Sequence, residues 1–331
     1  MKALVYTNTN EVIFREEPEP VAGPGEVLVK VEATGICGSD MHAYHGHDAR
    51  RVPPLILGHE VVGTIVDGLQ AGTRVVINPL ITCGHCQYCE SGLPHLCPDR
   101  ELIGMRLAGA YAEKVIIPAK NVIPLSPSAD PIKLALSEPV ATALHALNLA
   151  RRQSSRPLSE LNILVIGGGA IGLLVALLLK GYGNRTTTLA ETNDLRRQSA
   201  GEVAGCHLYN PITEGDPEEG TFDVIIDAVG GSLTRKMGMI AVKAGGIFVH
   251  IGLMDAAGEF DIRKLTLFEV KLIGVYCYTP ADMRAAAQAI ESGLVGNLDW
   301  VETRPLSEGA QAFSNLHEGR CASAKIVLVP G

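Results

Sequence analysis

Residues Ile163 to Leu179 read ILVIGGGAIGLLVALLL, seventeen positions without a charge. That is just short of a membrane span, which needs about 20 apolar residues. Its internal order is more informative: ILVI reads as a buried strand, GGGAIG as a tight turn, and LLVALLLKGYG as a helix that closes on glycine. Gly167, Gly169 and Gly172 then fit G-x-G-x-x-G directly after a strand and at the opening of a helix. There the missing side chains let a pyrophosphate approach the helix N-terminus, whose N–H groups and dipole favour an anion. The expected cofactor-binding turn is therefore Gly167, Gly169, Ala170, Ile171 and Gly172. A lone glycine motif is weak, but the residues downstream of it strengthen it. TTTLAET supplies Glu191 nineteen residues after Gly172, where an acid would take the ribose hydroxyls. Strand-like runs recur at FDVIIDAVGG from Phe222, GGIFVHIGL from Gly245 and VKLIGVYCY from Val270. The alternation predicts an α/β unit with a doubly wound parallel sheet over residues 145–282. A buried strand and helix holding no nucleotide is the bland alternative.

A second feature is CGHCQYCESGLPHLC, where Cys83, Cys86, Cys89 and Cys97 fall within fifteen residues. A disulfide scaffold would be short, secreted and rich in cysteine throughout. This chain has 331 residues and eight cysteines, and its start, MKALVYTNTNEVIFREEPEP, has no apolar segment of a secretory signal. A reducing cytoplasm is the expected compartment. The spacing C-x2-C-x2-C-x7-C suits four thiolates converging on a tetrahedral zinc, a closed structural site. His85 and His95 then read as solvated bystanders.

Around that lobe the sequence changes character. EVLVKVEATG, HEVVGTIVDG, TRVVINP and GAYAEKVIIPAKNVIPL are short, rich in Val and Ile and bounded by Gly or Pro, which predicts a mostly antiparallel β-domain. The final CASAKIVLVPG looks like one more strand of it. The expected domains are 1–144 with 283–331, and 145–282, with the polar stretch RRQSSRPLSE at 151–160 as the exposed approach to the second. Charged residues make up 19% of the chain and the formal net charge is -8, with no run of Lys or Arg. Nucleic acid and anionic membrane surfaces are thereby poor partners.

Chemistry is expected in the β-domain, at CGSDMH (37–42) and GHE (58–60). Cys37, His59, Glu60 and Glu138 offer mixed S, N and O ligation with room for water, which separates a catalytic zinc from a structural one. Each residue alone has a plainer reading, as a small buried hydrophobe, a core histidine or a surface charge.

ICGSD at 36–40, GHEVVG at 58–63, the four-cysteine lobe, EP at 138–139 and VIGGGAIG at 165–172 together resemble the zinc-dependent medium-chain dehydrogenase/reductase family. The likeness runs along essentially the whole chain and is strongest to the polyol, sugar-alcohol and threonine dehydrogenases. It implies a GroES-like catalytic β-domain and a Rossmann domain. It also implies two zinc ions, NAD as the cofactor and hydride transfer from a secondary alcohol. Carried over residue by residue, Cys37 and His59 would hold the catalytic zinc, with Glu60 or Glu138 completing the ligands directly or through water. Ser39 would take the alcohol proton and His42 pass it to solvent, while Asp40 would fix the zinc-bound histidine. His45 and His47 match no role and read as surface residues. Contacts to the cofactor would extend to Arg196, Val229, Gly230, Ile251 and Gly252.

NAD is expected over NADP because Glu191 would repel a 2′-phosphate, although Arg196 and Arg197 stand close after it. The substrate pocket is expected around Ser39, Tyr44, Met105 and the segment after Ile273. The family also implies a homo-oligomer, a tetramer before a dimer, joined at sheet edges. Three departures stand out: a shortened turn after GHEVVGTIVDG with Thr73 where aspartate is usual, an unusually polar linker RRQSSRPLSE, and Glu191 where aspartate is common. Other readings are a zinc-dependent alcohol or L-threonine dehydrogenase, a zinc-free quinone or enone reductase of the same superfamily, and a non-enzymatic nucleotide-binding protein.

Overall fold

The strand Glu26–Gly35 organises the first of two compact units in a computed structural model spanning residues 1–331. Val27, Val29, Val31 and Ala33 alternate inward along it, as a half-buried strand requires. They pack with Val61, Ile65, Val75, Ile77, Ile103, Val115 and Ile117 in one apolar cluster (Ala33 excepted). Each fully buried valine or isoleucine contributes about 1.5–3 kcal/mol relative to exposure. A seven-stranded sheet forms around this strand in the order 122–124, 74–77, 60–67, 26–35, 326–329, 302–305, with Lys114–Pro118 also pairing with 26–30. A smaller sheet joins Glu11–Glu16, Lys2–Asn8 and Leu55–Ile56.

Two pairings in this unit place chemistry. Glu60–Asp67 runs antiparallel to Glu26–Gly35 so that Glu60 stands opposite Gly35. The last strand, Ile326–Val329, pairs with residues 34–35, and the Ile36 N–H donates to the Ile326 carbonyl. A segment almost three hundred residues away in sequence thus borders the start of the helix Gly38–Tyr44.

The second unit contains a six-stranded, wholly parallel sheet. Its order is His207–Tyr209, Thr187–Ala190, Ile163–Ile166, Phe222–Asp227, Val242–His250, Lys271–Gly274, the doubly wound arrangement. ILVI is fully buried, as a central parallel strand should be. The helix Ala170–Gly181 comes next and buries eight of its residues. The strand expected through GVYCY stops at Gly274, and Cys277 takes a left-handed φ of 48°.

The units part at Glu138/Pro139 and Tyr278/Thr279, and residues 292–300 return to the nucleotide unit. The expected limits were 144/145 and 282/283. The first break lies in the opening turn of a continuous helix, Ser137–Gln153, which carries no compositional change to mark it. RRQSSRPLSE lies inside the second unit rather than at its border, and its first three residues finish that helix. No helix is long and apolar enough to cross a membrane.

Candidate metal centres and nucleotide site

In the cysteine lobe, Cys86 caps the four-residue helix Gln87–Glu90, and the single-turn helix Pro94–Leu96 delivers Cys97. Gly84 and Gly92 take φ of 85° and 75° on either side, conformations that a side chain would strain. The sulfur separations are 3.5 Å for Cys86–Cys89, 3.6 Å for Cys83–Cys97 and 3.9 Å for Cys83–Cys89. Sulfurs about 2.3 Å from a tetrahedral zinc are about 3.8 Å apart, so this donor set fits that ion. The backbone N–H of His85 holds the Cys83 thiol down to about 6 against the opposing effect of desolvation, favouring the anionic ligand. His85 is exposed, as expected. His95 is not: it is buried beside Cys97, because the single-turn helix folds it inward.

The second group is Cys37, His59 and Glu60, whose ligand atoms lie within 4.8 Å of one another. Cys37 caps the helix Gly38–Tyr44, and Glu60 opens the strand paired with Gly35, with His59 immediately before it. A Cβ on Gly35 would overlap the Glu60 carboxylate, so only glycine admits that side chain here. Sulfur, imidazole and carboxylate together suit a catalytic zinc rather than a closed structural one.

Asp40 is fully buried behind the imidazole. Its Oδ1 stands 3.5 Å from His59 Nδ1, and its Oδ2 accepts from the Tyr111 hydroxyl at 2.5 Å and from the Cys37 N–H at 3.1 Å. Burial opposes its ionisation, but His59, Arg51 and Tyr111 overcome that and hold it at about 2. A permanent carboxylate there fixes the ring's orientation.

Glu60 is as deeply buried and is gripped by Lys325, whose Nζ lies 2.6 and 2.8 Å from its two oxygens and 2.8 Å from the Ile36 carbonyl. Burial would discharge this lysine, but Glu60, Cys37 and Glu138 keep it protonated above the ordinary lysine value. Glu138 is itself buried and stands outside the Cys37, His59, Glu60 group.

Ser39 and His42 share the helix Gly38–Tyr44. The Ser39 Oγ accepts from the Arg51 guanidinium at 3.1 Å, and no hydrogen bond joins Ser39 to His42. Arg51 is buried and also donates to the Gly104 carbonyl and to Asp48. Burial, then the neighbouring His47 and Arg51 charges, lower the pKa of His42. Tyr44 packs in the apolar core with Phe313 and Tyr111.

In the second unit, Gly167 takes φ of 97° at the end of its strand, and a Cβ on Gly172 would overlap the Gly167 carbonyl. Gly169 caps the helix Ala170–Gly181, and a Cβ there would meet nothing within 4 Å. Open space before a helix N-terminus, with Ala170 and Ile171 in its first turn, fits a phosphate. Glu191 is buried, accepting the Gly168 N–H at 2.8 Å and the Asn193 N–H at 2.7 Å. Arg197 is spent on Asp194 and the Glu191 carbonyl, whereas the Arg196 Nε is buried with no hydrogen-bond partner. Val229 and Gly230, and Ile251 and Gly252, sit just past the carboxyl ends of adjacent strands. Asp227 ties both pairs through their N–H groups, and the two glycines touch so closely that neither admits a side chain.

Residues 23–127 match the alcohol dehydrogenase GroES-like domain, and residues 170–292 match the zinc-binding dehydrogenase family. The chain is 31% identical over 347 residues to the L-threonine 3-dehydrogenase of Xanthomonas axonopodis pv. citri, with 99% of each covered. It belongs to the zinc-dependent medium-chain dehydrogenase/reductase family. Among solved structures, this dehydrogenase is 26% identical, at a TM-score of 0.88, to acetophenone reductase of Geotrichum candidum in complex with NAD, covering 99% of this chain and 96% of that one. It is 29% identical, at a TM-score of 0.87, to a zinc-binding dehydrogenase relative from Sinorhizobium meliloti 1021 bound to NADP, covering 99% of both chains. The two units are accordingly a GroES-like domain and a Rossmann domain, and the chain is an alcohol or polyol oxidoreductase.

Three residues around this dehydrogenase's mixed donor group escape sequence reasoning: Arg51, Tyr111 and Lys325. Lys325 left one trace, as the single charge within ASAKIVLVP, a run otherwise read as a buried strand. Arg51 sits in unremarkable loop sequence, and Tyr111 in a run read only as strand.

Proposed function

We propose that the enzyme oxidises a secondary alcohol of a polyol or sugar acid with NAD, using Cys37, His59 and Glu60 as the protein ligands of a catalytic zinc. The observation that carries this reading is the convergence of a partly buried thiol with a buried imidazole and a buried carboxylate within a zinc-binding dehydrogenase. Zinc, when bound, supplies a Lewis acid for the alcohol oxygen, and the nicotinamide supplies the hydride acceptor. The chain's own residues do the rest. Asp40 holds the His59 ring, and Lys325 holds Glu60 against Gly35. Between Glu60 and Glu138, the grouping favours Glu60 as the nearer carboxylate.

Ser39 takes the alcohol proton. Arg51 occupies one of its lone pairs, which leaves a second lone pair to accept and the hydroxyl hydrogen to donate. His42, on the same helix and kept neutral by burial, receives that proton through water and releases it. Cys83, Cys86, Cys89 and Cys97 hold the structural zinc. Gly167, Gly169, Ala170, Ile171 and Gly172 cradle the pyrophosphate, with Val229, Gly230, Ile251 and Gly252 beside it at the strand ends. Glu191 takes the ribose hydroxyls with its remaining lone pairs. Its charge, set against Arg196 as the available cation, supports NAD over NADP.

The test is a screen of zinc-loaded enzyme over polyols, aldonic acids, simple secondary alcohols and L-threonine, with NAD and NADP, monitored by reduced-nicotinamide absorbance. Reduction is expected with at least one polyol or sugar acid, with kcat/KM favouring NAD on the order of a hundredfold, or roughly 2.7 kcal/mol. No reduction with any secondary alcohol by protein holding both zincs would sink the reading. L-threonine is the second reading, because a whole-length relative bears that activity in its name.

The enzyme is also proposed to assemble as a tetramer before a dimer. Lys271–Gly274 is an edge strand of the parallel sheet, and exposed Leu272 on it, with Ile262, Leu267 and Phe268 before it, supports edge-to-edge joining. A reducing cytoplasm is the proposed compartment, supported by Cys83, Cys86, Cys89 and Cys97 being gathered as thiols rather than joined as disulfides.

A further inference from the structure

His45 and His47 lie just past the helix Gly38–Tyr44 and have no part in the chemistry proposed above. The helix Gly309–His317, from the far end of the chain, brings a third imidazole to them. His45 Nε2 stands 2.9 Å from His317 Nδ1, at the protein surface. Their ring centroids are 4.9 Å apart, and the His47 ring lies 5.7 Å from that of His45. We propose that His45 and His317 form a surface site for a divalent first-row transition metal such as Ni²⁺, Cu²⁺ or Zn²⁺.

The chemistry favours that class of ligand. Imidazole nitrogens select these cations over magnesium and calcium, which prefer oxygen. Two nitrogens each about 2.1 Å from one ion and at right angles to each other are about 3.0 Å apart, close to the separation found here. A modest rotation of both rings would aim their lone pairs at a shared ion. Burial, then the His317, His47 and His42 charges, lower the pKa of His45, so the neutral, ligating form prevails. The acidic neighbours do not compete for the role: Glu318 is engaged by Ser314 and Arg320, and Asp48 by Arg50 and Arg51. The site shares no residue with the two cysteine-containing groups.

A contact between two imidazoles could also serve only to tie the helices together, and metal uptake separates the two roles. Enzyme holding both zincs is dialysed against Ni²⁺, and nickel and zinc are both counted by elemental analysis, for wild type and for His317→Gln and His45→Gln. Wild type should gain about one nickel per chain with its zinc unchanged. Loss of a hydrogen-bond partner to a ligand already weakens metal binding by roughly tenfold or more, so loss of a ligand in either variant should weaken nickel binding at least that much. Three outcomes would each overturn the proposal: no nickel uptake, uptake matched by loss of zinc, or equal affinity in wild type and both variants.

Discussion

All four sulfurs of the Cys83–Cys97 lobe come from fifteen consecutive residues, whereas Cys37, His59 and Glu60 meet only because a strand pairs with Gly35. The lobe is partly exposed and orders its thiols with two glycine turns and two short helices. The mixed group is more deeply buried, with only Cys37 partly exposed, and two of its members have partners from elsewhere in the chain: Asp40, itself held by Tyr111, stands beside His59, and Lys325 grips Glu60. On the proposed reading, a local lobe with little apolar core would depend on its metal for order. A group embedded between a helix and a sheet would keep its shape from packing and use its metal for chemistry. Folding and catalysis therefore fail separately in the two places.

The sharpest break of the comparison is a pair of substitutions. Cys86→Ser should remove about one zinc per chain and unfold the lobe, because structural zinc contributes up to about 10–16 kcal/mol of folding energy in small zinc modules. Limited proteolysis within residues 83–97 together with zinc analysis would detect this. Cys37→Ser should leave the melting temperature within a few degrees and abolish turnover. Equal loss of stability in both variants would contradict the division of labour.

A smaller effect probes the support behind the mixed group. Lys325→Met leaves Glu60 buried without its cation, and breaking a buried ion pair in this way costs roughly 3–5 kcal/mol. Urea unfolding measures it. A cost below about 1 kcal/mol, the range of exposed pairs, would mean that the pair is not buried as described.

The smallest effect concerns acid. Burial opposes the ionisation of Asp48, yet Arg50 and then Arg51 hold it at about 2, below the ordinary value of 3.8. A depressed carboxylate contributes stability above its unfolded pKa and loses it as pH falls through its folded one. Asp48→Asn should therefore be less stable than wild type near neutrality by about 1 kcal/mol after solvent screening, with the gap closing between about pH 4 and pH 2. A gap that stays constant across that range would assign the effect to packing of Arg51 instead of charge.

Legibility in the sequence divides along the same line between near and far. The spacing of Cys83, Cys86, Cys89 and Cys97 led to the expectation that their sulfurs converge, which they do, and GGGAIG was placed correctly between a buried strand and a helix. Five of the six parallel strands could be counted off, since they recur with the helices between them, whereas the three-residue edge strand His207–Tyr209 went unnamed. The break near Glu138 was illegible because it lies in an unbroken helix. His95 was misjudged because nothing in LPHLC says which way a single turn will roll.

The sequence by itself determined which chemical groups the protein owns and which short-range geometries they must take. Spacing sets the reach of a loop, and glycine sets where a backbone can bend or touch. Only the tertiary structure decided which carboxylate stands nearest Cys37 and His59, that Lys325 would neutralise it, that Arg51 would hold Ser39, and that His317 would meet His45. These partners lie from about ten to almost three hundred residues apart, and the longer links depend on strand register and helix packing. Register is set by the summed burial of many apolar side chains, a property of the whole fold that no short stretch of residues carries.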